Sequence, residues 1–120
     1  MSSLSPTQLT LKKLRGEGWT CAVVEHWNSF AKIRQDLFGF GDILACRDKP
    51  IENILIVQCT TLSNVAARKK KISNNPLSLA WEKAGGRLQV WGWYKKKTKW
   101  HCRISDSDCG HWQDIECMEP

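Results

Sequence analysis

Apolar residues recur along this chain in two rhythms, one helical and one alternating. In "TQLTLKKLRGEG" (residues 7–18) Leu9, Leu11 and Leu14 return at mixed helical spacing, while Lys12, Lys13 and Arg15 point largely elsewhere. Gly16 and Gly18 supply the stop, so a first helix is expected. "WTCAVVEHWN" is rich in β-branched and aromatic residues, holds no breaker, and reads as one strand. Its alternating faces carry Cys21, Val23, Glu25 and Trp27 on one side, and Ala22, Val24, His26 and Asn28 on the other. "SFAKIRQDLFGF" is then a connection, "GDILAC" a second strand, "RDKPIEN" a turn and "ILIVQCT" a third strand. The short link between the last two favours an antiparallel hairpin.

Ser63 is the expected N-cap of a second helix, "NVAARKKKIS", with Val65 and Ile72 on one face and Arg68 to Lys71 on the other. After Pro76, "LSLAWEKAGG" has helical character and ends in a glycine pair. "RLQVWGWYKKK" and "KWHCRIS" read as further strands. The order is helix, three strands, helix and at least one more strand, an α/β arrangement.

The hairpin places chemistry. Facing residues of an antiparallel pair have a constant sum of sequence numbers, and a turn centred on Pro50 makes that sum 100. Asp42 then faces Gln58, and Thr60 shares the Gln58 face. If the first two strands pair about a centre between Ile33 and Arg34, Glu25 comes to Asp42 as well. A polar side chain in an apolar strand is costly unless it is hydrogen-bonded, paired or metal-bound. The bland alternatives are a turn carboxylate capping backbone amides at Asp42, and a Gln58 amide satisfied by Asp42 or by a neighbouring backbone.

At 120 residues, with 42% hydrophobic content and seven tryptophans, the chain fits one folded domain. Its net charge of +6 is unevenly spread. All eighteen lysines and arginines lie within residues 1–103 beside only seven acids, whereas residues 104–120 hold five acids and no basic side chain other than histidine. A body this basic suits a phosphate-rich partner, DNA above all. No window approaches the roughly 20 apolar residues of a membrane span, and the N-terminus lacks the apolar core of a signal peptide, so no membrane partner and a cytoplasmic location are expected. Cys21, Cys46 and Cys59 fall inside apolar strands and read as reduced core thiols.

The element order, the "GD" that opens the second strand, and the "QCT" that ends the third resemble the PD-(D/E)xK, or restriction-endonuclease-like, nuclease superfamily. The layout is most similar to archaeal-type Holliday-junction resolvases, over roughly residues 7–94. The resemblance implies an αβββαβ core with a central mixed sheet flanked by helices, in residues 1–104, followed by an acidic Cys/His-containing tail, 105–120. It matches Asp42 to the motif's Asp, Gln58 to its Asp or Glu, and Thr60 to its Lys. In that family the two acids hold Mg²⁺ and the lysine orients or activates the attacking water. Here only Asp42 is intact: Gln58 offers a neutral oxygen and Thr60 no cation. Asp42, Gln58 and Glu25 are therefore the expected ligands of Mg²⁺ or Mn²⁺, with Asp36 a spare carboxylate. The missing cation is sought at Lys32 or Lys71, with Arg34 and Arg68 better suited to clamping a phosphate. Resolvases of this layout act as dimers, which implies a homodimer.

"ARKKK" (Ala67 to Lys71) and "YKKKTK" (Tyr94 to Lys99) form two basic clusters. Arg34, Arg68, Lys69, Lys70, Lys95, Lys96 and Lys97 are expected on the DNA backbone, and Trp93 as a base-stacking platform, with core packing of Trp91 and Trp93 as the plain alternative. His101, Cys102, Cys109, His111 and Cys117 could supply tetrahedral donors, but none of their gaps has the paired C-x₂-C spacing, and zinc is not the expected metal. The tail's acids could instead fold over the basic face and compete with nucleic acid. No Walker loop and no nucleophile elbow occurs, which sets aside ATPase and serine-hydrolase chemistry. Two functions stand at this point: a divergent Mg²⁺-dependent DNA endonuclease, acting on branched or structured DNA, and a catalytically silent relative that binds DNA structure or a protein partner. The chain has the look of a small phage or mobile-element accessory protein.

Overall fold

In the computed structural model, residues 4–48 and 54–118 are described. The chain begins with α1 (Pro6–Gly16), set by a capping box in which Ser5 and Gln8 exchange side-chain and backbone hydrogen bonds, and by Pro6 in the first turn. Leu9 and Leu14 face inward and are 1% exposed. Burial of such a side chain contributes about 1.5–3 kcal/mol.

The stretch expected as one strand divides in two: β1 (Thr20–Val23) joins the main sheet, and β2 (His26–Asn28) leaves it to pair with β3 (Ile33–Gln35). β4 (Ile43–Cys46) and β5 (Ile54–Thr61) follow, antiparallel, with Ile43 opposite Val57. Most of the turn between them, residues 49–53, lies outside the described residues. A single 3₁₀ turn (Leu62–Asn64), α2 (Val65–Ser73) and α3 (Pro76–Lys83) then cross over to β6 (Arg87–Lys96), which runs parallel to β5. Asn64, not Ser63, is the N-cap of α2, because the 3₁₀ turn occupies the position before it. β7 (Lys99–Asp108) and β8 (His111–Met118) complete a mixed six-stranded sheet of order β1-β4-β5-β6-β7-β8. The protein is thus α/β, with helices on both faces of the sheet.

Strand alternation sorts the core. Leu55, Val57, Cys59, Trp91 and Trp93 pack with α1 on one face, while Ile56, Leu88 and Val90 pack with Phe40, Val65 and Ile72 on the other. Val65 and Ile72 mark the buried face of α2, as their spacing suggests. Gly92 lets this layer close down, because a Cβ there would meet the Val65 side chain and the Leu62 backbone.

Two further expectations change. Residues 105–118, read as an acidic tail, form the end of β7 and the edge strand β8. Their acids do meet basic side chains: Asp114 pairs with Lys69 at 3.4 Å and Glu116 with Arg103 at 2.7 Å. Cys46 is exposed rather than a core thiol: among the described residues no helix covers the outer positions of β4, where Leu44 is exposed too. Cys59 is buried and Cys21 half-buried.

Candidate metal and nucleic-acid site

Three short pairings converge on Asp42. The β4–β5 register, continued one step beyond Ile43 and Val57, sets Asp42 opposite Gln58, and the Asp42 N–H donates to the Val57 carbonyl at 2.9 Å. On its other side the Asp42 carbonyl accepts from Val24 N–H at 2.9 Å. β1 and β4 therefore pair one residue out of the expected register, with Val24, not Glu25, opposite Asp42. The chain leaves the sheet after this pairing, and Glu25 lies at the base of the β2–β3 hairpin.

Asp36 arrives by the third pairing. The chain reverses through Phe38 (φ 56°) and Gly39 (φ 86°), both in the left-handed region, and Leu37 and Gly41 exchange backbone hydrogen bonds of 2.8 Å. One step further along that bridge Asp36 lies beside Asp42. The same extension of the hairpin register, in which His26 faces Gln35, brings Glu25 beside Asp36. Oxygens of Glu25, Asp36 and Asp42 consequently lie within 4.8 Å of one another. Among the described residues this is the one convergence of three or more histidine, cysteine or carboxylate ligands.

The environment is dry on one side and charged on the other. Asp42 is 4% exposed and Gln58 2%. Asp42 Oδ2 accepts from Gln58 Nε2 and from Cys59 N–H, each at 2.7 Å. Burial pushes the Asp42 carboxyl up to about 8; the Cys59 N–H opposes that shift, and the charges of Asp36 and Glu25 add to it. Gln58 Oε1 is buried with no partner, an orphaned acceptor that is costly in a protein interior. Beside the cluster, between the hairpin and α2, opens a cavity of about 470 Å³ whose walls include His26, Arg34, Asp36 and Lys71. Arg34 Nη1 stands 3.7 Å from Glu25 Oε1.

The donor set is made of oxygens: three carboxylates, with an unpartnered amide oxygen next to Asp42. Hard divalent cations such as Mg²⁺, Mn²⁺ or Ca²⁺ fit it, and a soft-ligand zinc site does not. Asp36 belongs to the cluster that the sequence reading assigned to Asp42, Gln58 and Glu25. The missed signal is the "LFGFG" reversal, whose centre sets Asp36 against Asp42 as surely as Pro50 sets Gln58.

The other expected residues separate into near and far. Thr60 is buried on the Gln58 face and brings no charge. Lys71 lines the cavity, whereas Lys32 stands exposed in the hairpin turn with φ 55°. Arg68 and Lys69 are half-buried on α2 and Lys70 is exposed, with Lys69 engaged by Asp114. Lys95, Lys96 and Lys97 are exposed where β6 turns into β7. Lys95 lies five residues beyond Val90, the Gln58 neighbour, or about 17 Å along the strand. Trp93 offers no stacking face: it is 1% exposed, and its indole N–H donates to Thr10 Oγ1 at 2.9 Å. Cys102 and Cys117 are direct cross-strand neighbours, but Cys109 and His111 sit at the opposite end of β7 and β8, so these donors do not gather.

No family model, no curated protein and no solved structure matches the chain.

Proposed function

We propose that this protein is a divergent divalent-metal-dependent DNA endonuclease of restriction-endonuclease-like architecture, hydrolysing phosphodiesters in branched or structured DNA as a homodimer. The observation that carries the reading is the convergence of Glu25, Asp36 and Asp42 beside the orphaned Gln58 oxygen, at a cavity that also holds Lys71 and Arg34. Mg²⁺ or Mn²⁺, when bound, supplies Lewis acidity and a water of lowered pKa. Asp42, Asp36 and Glu25 would hold the ion, Asp42 in its deprotonated form. Gln58 orients Asp42 through its 2.7 Å hydrogen bond and lends a neutral oxygen. Lys71 replaces the lysine missing at Thr60, holding a proton or a phosphate oxygen from the opposite wall. Arg34, freed from Glu25 when metal binds, clamps a phosphate.

Cleavage of labelled four-way-junction, duplex and single-stranded DNA with Mg²⁺ or Mn²⁺ tests the reading. Cutting should require metal, disappear in Asp42→Ala and fall about a hundredfold or more in Lys71→Ala, the usual contribution of a proton-transfer group. A second reading follows from Gln58 and Thr60, which remove one negative and one positive charge from the expected motif: a relative that binds DNA structure without cutting it. Salt-sensitive binding with no metal-dependent cleavage would select it.

A further inference from the structure

Among the described residues, the β2–β3 hairpin stands outside the six-stranded sheet and pairs only with itself. A free two-stranded ribbon is marginal in water, and hairpins of this length ordinarily turn their apolar residues inward. This one does the opposite. Phe30 at its tip is 99% exposed, Trp27 58% and Ile33 50%. The tip is nonetheless ordered: Asn28 Oδ1 accepts from the Phe30 and Ala31 N–H groups, each at 3.0 Å, and Lys32 N–H donates to the Asn28 carbonyl at 2.7 Å. An aromatic ring held in solvent on a prebuilt turn binds without the entropy cost of ordering a loop.

The ribbon's charge indicates what it meets. From His26 to Gln35 it holds Lys32 and Arg34 and no acid, with Glu25 at its base 3.7 Å from Arg34. Trp27 and Arg34 face each other across the strands, so a flat ring and a flat cation share one face. Aromatic faces flanked by cations match unstacked bases and their phosphates. At the ribbon's base Glu25 and Asp36 enter the carboxylate cluster. Tip and cluster are thereby coupled by about five residues, or about 15 Å, the length of about four base steps.

We propose that the β2–β3 hairpin is a wedge that enters DNA at a branch point, Phe30 stacking on a base exposed there and Trp27 and Arg34 tracking the adjoining strand. This rests on the DNA-acting reading above and specifies its substrate: DNA with an opening, not continuous duplex. The wedge sets the distance from the opening to the carboxylates, and so selects which phosphate reaches them.

The test is binding without metal, in EDTA, to a four-way junction carrying 2-aminopurine beside the branch and to a linear duplex of the same sequence. Wild type should bind the junction about tenfold or more tighter than the duplex and raise the probe's fluorescence as the base unstacks. Phe30→Ala and Trp27→Ala should each cost about tenfold on the junction, the loss expected for one stacking contact, and leave duplex affinity unchanged. Phe30→Tyr should restore junction binding, and Phe30→Leu should not. Equal losses on both DNAs, or no loss, overturn the wedge while leaving a DNA-acting protein in place. So does a fall in molecular mass by light scattering in Phe30→Ala, which makes the hairpin a contact between copies. A wild type that binds neither DNA at low salt in EDTA overturns the wedge, and one that also binds neither with Ca²⁺ present overturns the nuclease with it.

Discussion

Asp42 concentrates the residue-scale chemistry. Its carboxyl is pushed up to about 8 because burial, with Asp36 and Glu25 beside it, disfavours the anion more than the Cys59 N–H favours it. The folded-state value lies above the unfolded one, so between about pH 4 and pH 8 the folded protein holds a proton that the unfolded chain has released. The metal-free protein should therefore be most stable toward pH 4 as far as this group is concerned, and lose stability as pH rises through 8. Thermal melts across that range in EDTA check the sign. Asp42→Asn should flatten the slope and raise the melting temperature at pH 8. Mg²⁺ or Mn²⁺ should flatten it too, because metal binding displaces the proton. A wild-type slope that Asp42→Asn leaves unchanged would place the titration elsewhere.

Elements rather than residues decide whether three carboxylates meet. The Leu37–Gly41 reversal is tied to α3, because Asn75, its N-cap, donates from Nδ2 to the Phe38 carbonyl at 2.9 Å. Gly39 fits there on two counts: its φ is 86°, and a Cβ would stand 3.2 Å from Asn75 Nδ2. Gly39→Ala should strain the reversal and draw Asp36 away from Asp42. Its cost is expected to fall mainly on metal affinity, about tenfold or more by analogy with other groups that orient metal ligands, with about 1 kcal/mol on stability. Calorimetric Mn²⁺ titration beside a denaturant melt separates the two, and equal Mn²⁺ affinity would show that Asp36 is not a ligand. The same scale explains the missed strand. β8 is an edge strand whose Ile115 is 54% exposed; its ladder to β7 holds it, with Trp112 and Cys117 packed half-buried against the two core layers. No hydrophobic alternation announces it. Cys109 (φ 50°) and Gly110 (φ 95°), which make the tight turn before it, were the readable signal.

At the scale of the whole molecule, charge is placed rather than merely abundant. Lys69 and Arg103 are engaged by β8 carboxylates, so the net +6 overstates the cations free to meet phosphate on that side. Lys32, Lys70, Lys71 and Lys95 to Lys97 remain exposed, as does Arg34 beside Glu25. On the proposed DNA-acting reading, affinity should fall steeply with salt: about four phosphate contacts predict a loss on the order of a hundredfold between 50 and 200 mM salt. Filter binding over that range measures the slope. Lys70→Ala should shallow it by about one contact, and Lys69→Ala by less, since Asp114 already holds that side chain.

Sequence alone determined what depends on neighbours in the chain. Strand alternation and a turn near Pro50 suffice to set Asp42 opposite Gln58, because hairpin register is local arithmetic. Glycine punctuation suffices for the ends of α1 and α3, whereas the cap read at Ser63 belongs to Asn64. Tertiary structure decided what depends on where one strand leaves a sheet and another joins it. The β1–β4 ladder set Val24, not Glu25, opposite Asp42, and the β2–β3 hairpin brought Glu25 to the cluster instead. The Phe38–Gly39 reversal delivered Asp36, and α1 closing over β6 turned Trp93 from a surface platform into core. Burial belongs to the assembled layers: an indole or a carboxylate has the same spacing in the chain whether or not a helix comes to rest on it.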